Sequence, residues 1–314
     1  MLQQTQVATV VPYYQRFLRT FPNVRSLARA PLERVLEQWS GLGYYRRARH
    51  LHEAAQSIVG RFRGRFPRQY ADARSLPGIG EYTARAILSI AFHQPYAVLD
   101  GNVARVVARL RAYRGNLHQR RFRRAVESDL EQLLPHRRPG DFNQAMMELG
   151  QTVCLPRAPR CPLCPLKNWC RAAARGDPES YPTPRPRRAT ELRYLAAAIM
   201  RRGPRVALVR GLDEGLMSDL WNFPSTFGAT RRAALGHLVV RLSALAPGRA
   251  TVGAPAGRLR HGITFRKIQV DVYAVKLAGR LINGPWRWIT LADFPRSAVS
   301  QLARKIAASI ARRT

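Results

Sequence analysis

Acidic side chains are scarce in this chain of 314 residues. Asp and Glu number 19 against 53 Lys and Arg, which leaves a formal net charge of +34 at pH 7. A polyanionic partner is the first physical explanation of such a shortage of negative charge, and nucleic acid is favoured over an acidic protein. Because only four of the basic residues are lysines, we attribute part of the arginine excess to genomic base composition.

Long apolar runs are absent as well. The sequence contains no stretch of about 18 apolar residues, the length that a membrane-spanning helix needs, and its N-terminus shows no charged-then-apolar leader. These absences predict a cytoplasmic protein without a membrane partner, nucleoid-associated if bacterial, and we expect a monomer. The chain is longer than a usual single domain, which predicts two domains.

The order of sequence patterns predicts where these domains lie. Residues 1–175 show helical apolar periodicity throughout, which predicts an all-α domain. Residues 176–191 carry four prolines and almost no apolar side chains, as expected of an extended linker. Short strand-like runs and two helical stretches follow in residues 192–314, which predict a smaller α+β domain.

Cysteine occurs only four times, at Cys154, Cys161, Cys164 and Cys170, with six, two and five residues between successive thiols. Without a secretory leader, structural disulfides are disfavoured, and four thiolates suit either zinc or a [4Fe–4S] cluster. The spacing differs from the paired short loops of common zinc ribbons, which favours iron–sulfur. We expect the metal site to be structural rather than redox-active.

A glycine-rich turn at residues 76–84, Leu-Pro-Gly-Ile-Gly-Glu-Tyr-Thr-Ala, is the most informative motif. Gly78 and Gly80 permit a tight turn whose amides can meet a phosphate at the start of a helix. Asp100 precedes another helical run, so its carboxylate is predicted to cap that helix and to stay ionised. Each feature alone is more often structural than functional; their pairing favours a nucleic-acid site with one fixed anion.

The turn and Asp100 together resemble the helix-hairpin-helix DNA glycosylase superfamily, and the cysteine spacing is that of its iron–sulfur members. Within the superfamily, three further segments resemble the adenine DNA glycosylase branch, the MutY family, and residues 192–314 resemble its Nudix-like C-terminal domain. These segments are residues 1–7 (Met-Leu-Gln-Gln-Thr-Gln-Val), 41–49 (Gly-Leu-Gly-Tyr-Tyr-Arg-Arg-Ala-Arg) and 142–150 (Phe-Asn-Gln-Ala-Met-Met-Glu-Leu-Gly).

The resemblance implies base-excision repair of double-stranded DNA, in which adenine paired with 8-oxoguanine or guanine is flipped out and hydrolysed from its sugar. It implies that Asp100 stabilises the oxocarbenium-like sugar and that Asn102 orients water or Asp100. Tyr82 stands where strand-cleaving relatives carry a Schiff-base lysine. A monofunctional glycosylase is therefore expected, with the Tyr82 phenol near the reacting sugar; a buried structural tyrosine is the alternative.

Further DNA contacts follow from the same resemblance. Gln4, Leu42 and Tyr44 match residues that wedge into the base stack around the mispair. Gln144 matches a residue that contacts the extruded adenine. A plain surface loop and a solvated helix residue are the respective alternatives. We favour the wedge because the apolar side chains of the glycine-flanked loop 41–45 have no obvious core to face.

Two departures from the family pattern bear on activity. The family's general acid is a Glu three residues before the Leu-Gln-Gln-Thr segment, and the chain as given has no counterpart to it. This predicts an N-terminally truncated, inactive enzyme, with a non-catalytic damage-recognition protein as the alternative function. In the lesion-recognition segment, Thr264 keeps a hydroxyl but Phe265 replaces the family's His, so selectivity for 8-oxoguanine is weakened. Residues 229–235 lack the carboxylates of nucleotide-hydrolysing Nudix enzymes, so no nucleotide hydrolysis is expected.

Overall fold

The computed structural model describes residues 1–3, 5–184, 189–212, 217–263, 265–279 and 285–311. Contacts divide the chain into two compact units, Met1–Gln56 with Arg188–Thr314 and, separately, Ser57–Arg187. Among the described residues, no helix is long and apolar enough to cross a membrane. The two units differ from the division expected at the Pro-rich segment, so the boundaries 1–175, 176–191 and 192–314 stay a prediction.

Helices account for the regular structure before the Pro-rich segment, as predicted. They are α1 (Val7–Thr20), α2 (Val24–Arg29), α3 (Leu32–Trp39), α4 (Arg46–Phe62), α5 (Tyr70–Ser75), α6 (Glu81–Phe92), α7 (Gly101–Arg111), α8 (Arg120–Leu133), α9 (Pro139–Thr152) and α10 (Arg171–Ala174).

Strands begin immediately after that segment, which confirms the smaller α/β part of the fold. They are β1 (Glu191–Arg202), β2 (Arg205–Arg210), β3 (Trp221–Asn222), β4 (Ser225–Gly228), β5 (Ala250–Ile263), β6 (Arg266–Leu277) and β7 (Arg287–Thr290), with helices α11 (Arg231–Leu245) and α12 (Gln301–Ala311). The strand order is β3-β2-β1-β6-β5, with β4 paired to β1 and β7 paired to β2. β1 and β6 run parallel, and β5 and β6 form an antiparallel pair.

Alternation along β1 explains why one helix covers each face of the sheet. Leu195, Ala197 and Ile199 share a core with α12, whereas Ala196, Ala198 and Met200 share a core with α11. Side chains along a strand point alternately to its two faces, so three of these positions are buried on each face of the sheet. The result is a sheet sandwiched between two helices.

The first three helices pack on this C-terminal sheet rather than apart from it. Buried side chains of α1 and α3 share one core with Leu220 and Ala298. Beside that core, the carboxylate of Glu33 accepts hydrogen bonds from Trp221 Nε1 (2.9 Å) and Arg210 Nη2 (3.1 Å), and it also pairs with Arg287. Burial opposes ionisation of Glu33, but Trp221 and the two arginines hold its pKa below the usual value.

His261 on β5 makes the stability of the C-terminal sheet sensitive to pH. The side chain is 9% exposed, and burial, followed by the charge of Lys305 on α12, lowers its pKa to about 4. An unfolded histidine titrates near 6.5, so between these values the unfolded chain binds more protons than the folded chain. We expect the free energy of unfolding to fall as the pH drops through this window, by at most about 1.4 kcal/mol per pH unit.

Urea titrations at pH 7 and pH 4.5 check this expectation. His261→Gln should shrink the acid-induced loss of stability, whereas His136→Gln, at an exposed position, should leave the loss unchanged. An equal loss in wild type and His261→Gln would show that other groups cause it.

Candidate active site

The glycine-rich turn has the predicted local structure. Helix α5 ends at Ser75. Its C-cap residue, Leu76, is 2% exposed, and the Ile79 amide donates to the Leu76 carbonyl at 3.1 Å. Gly78 has φ +73°, a left-handed conformation that glycine adopts without strain. Gly80 caps α6 without a side-chain hydrogen bond, and an added Cβ there would meet nothing within 4 Å. The first turn of α6 is therefore open to an anion, as phosphate binding requires.

Asp100 is the N-cap of α7, as the sequence predicts. Its Oδ1 accepts from the backbone amides of Asn102 (2.8 Å) and Val103 (2.7 Å), and its Oδ2 accepts from Asn102 Nδ2 (3.2 Å). Three N–H donors at a helix N-terminus suit an anion held in one orientation. The carboxylate is only half-buried, so a bound molecule can still reach it.

The Tyr82 hydroxyl lies in the same neighbourhood. Tyr82 belongs to the first turn of α6, and its Oη donates to Met147 Sδ at 3.3 Å. Burial, and then the negative charge of Asp100, raises the pKa of the phenol above its usual value. With the side chain still 38% exposed, Tyr82 presents a protonated hydroxyl beside Asp100 and no amine.

Arg105, which sequence reasoning missed, fixes the orientation of Asn102. Its Nη2 donates to Asn102 Oδ1 (2.9 Å) and to the Gly150 carbonyl (2.7 Å), while its Nε donates to the Cys154 carbonyl (2.7 Å). Because Asn102 Oδ1 is engaged in this way, Nδ2 is directed to Asp100. The only sequence signal was an arginine three positions after an asparagine in the same helix.

Close helix packing brings α9 to this site. A Cβ added to Gly150 would lie 2.7 Å from Asn102 Cβ, and one added to Gly140 would lie 2.7 Å from the Ser89 carbonyl. Both approaches are closer than real side chains allow, so glycine is required for α9 to reach α7 and α6. Gly150 thereby places its carbonyl within reach of Arg105.

Asn143 and Gln144 are neighbours on α9 with different surroundings. Asn143 is 1% exposed and binds Ser89 Oγ, the Tyr96 carbonyl and the Val98 amide at 2.8–3.0 Å. It thus secures the segment that leads to Asp100, a role that sequence reasoning missed. Gln144 is exposed, and its Nε2 donates to the Gly140 carbonyl at 3.3 Å. Its contact with adenine stays a prediction.

Arg109 holds the loop that carries the cysteines. The guanidinium is 2% exposed and donates to Cys154 Sγ (3.3 Å) and to the carbonyls of Leu155 (2.7 Å), Pro156 (3.1 Å) and Tyr181 (3.0 Å). One buried cation thus organises the carbonyls of a loop that has no regular secondary structure at this point.

The four thiols lie near one another. Burial raises the pKa of Cys164; a backbone hydrogen bond at Leu166 opposes this shift, and the charges of the other three thiols add to it. Within the described ranges, no group of three or more His, Cys, Asp or Glu side chains is placed to hold a metal ion. The donor chemistry nevertheless suits a thiolate-bound group, because residues 154–170 contain four partly buried thiols and no acidic side chain or histidine.

The residues predicted to wedge into the base stack or to contact the lesion differ in their exposure, and two of them lie outside the described residues. Gln4 and Thr264 lie outside the described residues. Leu42 is 6% exposed within the core of α1 and α3, so the argument that loop 41–45 has no core to face is wrong for this residue. Tyr44 is 53% exposed. Phe265 is half-buried, with the Arg266 guanidinium 5.7 Å from its ring centre.

Comparisons with known proteins converge on one class of enzyme. Residues 1–135 match the family model described as HhH-GPD superfamily base excision DNA repair protein. The adenine DNA glycosylase of Rattus norvegicus is 35% identical, with 98% of this chain and 69% of that protein aligned. The human adenine DNA glycosylase is 34% identical, with 98% of this chain and 66% of that protein aligned.

A solved structure of a DNA glycosylase is also similar to this chain. The structure of a thermostable thymine-DNA glycosylase is similar with a TM-score of 0.51 and 26% sequence identity. The similarity covers 55% of this chain and 80% of that one.

Proposed function

Because this chain belongs to the adenine DNA glycosylase family of the HhH-GPD base excision repair superfamily, we propose that the adenine it excises lies opposite 8-oxoguanine or guanine in duplex DNA. The observation that carries the proposal is a fixed carboxylate, Asp100, held by three N–H donors at the start of α7 beside the hydroxyl of Tyr82. This pairing suits hydrolysis of a glycosidic bond.

Asp100 acts on the sugar. As the bond to adenine lengthens, positive charge develops on the ring, and a fixed anion stabilises that charge more than it stabilises the substrate. Asn102 keeps the carboxylate in place and, with it, orients the attacking water. Tyr82 has no amine with which to form a Schiff base, so the strand stays intact after the base departs.

The substrate must be flipped out of the helix before this chemistry begins. Backbone amides at Gly78 and Gly80 bind the DNA phosphates, and Gln144 contacts the extruded adenine. Gln4 and Tyr44 fill the gap in the base stack, whereas Leu42 is packed in the core and anchors the loop that carries Tyr44. Thr264 and Phe265 contact the 8-oxoguanine.

The loop of residues 154–170 carries the four cysteines. We assign Cys154, Cys161, Cys164 and Cys170 to a [4Fe–4S] cluster. The bound cluster would supply a cross-link between the two ends of the loop and no step of the hydrolysis. The absorption spectrum of the purified protein tests this assignment: a visible band would support iron–sulfur, whereas zinc has a filled d shell and gives none.

Single-turnover assays on four duplexes test the proposal. Adenine opposite 8-oxoguanine, guanine, thymine or cytosine is incubated with excess protein, and abasic sites are revealed by alkali. Where adenine is released, we expect the release to be fastest opposite 8-oxoguanine, slower opposite guanine and absent opposite thymine. Any release would contradict the inactivity that is predicted from the missing general-acid Glu. Strand cleavage without alkali would contradict the monofunctional mechanism. Selective binding without release would instead support a damage-recognition protein.

A further inference from the structure

We propose that Arg304 on α12 positions the loop of residues 40–45 and thereby sets how Tyr44 is presented to DNA. The inference rests on the proposed function, in which Tyr44 is a wedge residue. In this proposal α12 helps to open the base stack, and this role is separate from contact with the lesion.

The loop has a backbone that needs outside support. Tyr44 has φ +49°, and it follows Gly43 at φ +74° and Gly41 at φ +108°. A bulky residue in the left-handed region is strained and persists only where its surroundings impose that conformation. The loop is held by hydrogen bonds from Trp39 Nε1 to the Gly43 carbonyl (3.2 Å) and from the Gly41 amide to the Tyr45 hydroxyl (3.0 Å). Arg47 also donates to the carbonyls of Gly43 (3.2 Å) and Tyr44 (3.4 Å).

The start of the loop is attached to the C-terminal part of the same unit. Arg304 Nη2 donates to Ser40 Oγ (2.6 Å), to the Ser297 carbonyl (3.3 Å) and to the Pro295 carbonyl (3.4 Å). Ser40 is 7% exposed, and its hydroxyl also lies 3.2 Å from the Ser297 carbonyl. Arg304 is thus a half-buried residue whose guanidinium joins Ser40 to the segment before α12.

Leu42 gives the loop a second attachment. Its side chain is packed in the core that includes Leu220 and Ala298, while Tyr44, two positions later, remains 53% exposed. The loop is therefore anchored at Ser40 and Leu42, and the aromatic ring projects from this base. A shift of the anchor moves the ring, because only Gly43 separates Leu42 from Tyr44.

The same helix also packs against β5, the strand that precedes the proposed lesion contacts at Thr264 and Phe265. The charge of Lys305 reaches His261 near the end of that strand. Arg304 and Lys305 are adjacent in the sequence and serve the loop and the strand respectively. The helix α12 thus contacts both the loop that carries Tyr44 and the strand that precedes the proposed lesion contacts.

A double-mutant cycle tests the proposal on the full chain. The measured quantity is the ratio of affinities for a duplex with adenine opposite 8-oxoguanine and for a fully paired duplex. 2-Aminopurine fluorescence in place of the adenine reports unstacking. Arg304→Gln should lower the affinity ratio about tenfold and reduce the fluorescence gain, an effect comparable with the loss of one aromatic stacking contact. Arg296→Gln, an equal loss of charge at an exposed position nearby, should change neither.

The cycle separates positioning from charge and from folding. If Arg304 acts by positioning the Tyr44 ring, the double variant should show the same defect as Tyr44→Ala alone. Additive defects, or no defect in Arg304→Gln, would overturn the inference. No defect in Tyr44→Ala would overturn the wedge assignment itself. If thermal melting shows that Arg304→Gln is unfolded, Ser40→Ala replaces it in the same cycle with the same expected outcomes.

Discussion

Replacing Asp100 with Asn should lower the single-turnover rate of adenine release by about 10³-fold, the order of effect seen when one preorganised electrostatic group is removed from a transition state. Asparagine caps helices as well as aspartate does, so the amide oxygen can still accept from the Asn102 and Val103 amides. Folding and affinity for DNA should therefore be nearly unchanged, and the loss should appear in the chemical step alone.

The matched control is Asp141→Asn. Asp141 also lies in the first turn of a helix, α9, but it is exposed and pairs with Arg138. Its replacement removes the same charge and should leave the rate within about twofold, as for other exposed ion pairs. Release by Asp100→Asn within tenfold of wild type would mean that the anion at α7 does not stabilise the reacting sugar.

Replacing Arg105 with Gln should have the second-largest effect, because one guanidinium serves four acceptors, namely Asn102 Oδ1 and the carbonyls of Gly101, Gly150 and Cys154. Its loss leaves the carbonyls of Gly150 and Cys154 without this donor and frees the Asn102 amide to turn away from Asp100. We expect a loss of about 3 kcal/mol in the free energy of unfolding. We also expect adenine release to slow by about 10²-fold as Asp100 loses its orientation.

Denaturant titration and single-turnover kinetics measure the two effects separately. Arg105→Lys keeps the charge but cannot match the planar fork, so it should restore only part of each. Arg114→Gln, just beyond the end of α7 and exposed, should alter neither. If the Arg105→Gln defect in release fully adds to that of Asn102→Ala, Arg105 does not act through the amide.

Features set by neighbouring residues were predictable from the sequence. The turn at Gly78 and Gly80 and the cap at Asp100 depend on glycine conformations and on one side chain bonding amides two and three positions later. Such contacts are encoded in a few consecutive residues. The helical and α/β halves followed from apolar periodicity in the same way.

Features set by distant residues were not predictable in this way. The burial of Leu42 depends on Leu220 and Ala298, and the environment of Glu33 depends on Trp221 and Arg287. No local sequence pattern indicates such distant partners. The sequence therefore predicted that loop 41–45 faces no core and that the helical domain is independent. The contacts of Arg105 also needed the backbone of α9, which approaches only because Gly150 has no side chain.

The proposed mechanism requires that Asp100 is a fixed anion beside a sugar that becomes cationic. Binding to two duplexes with 8-oxoguanine opposite an abasic-site analogue tests this claim. In one the analogue is a neutral tetrahydrofuran; in the other it is a protonated pyrrolidine. Wild type should bind the cationic duplex at least tenfold more tightly, as expected of a transition-state mimic, and Asp100→Asn should abolish the difference. Equal affinity of the wild type for both duplexes, or a preference that survives Asp100→Asn, would contradict the claim.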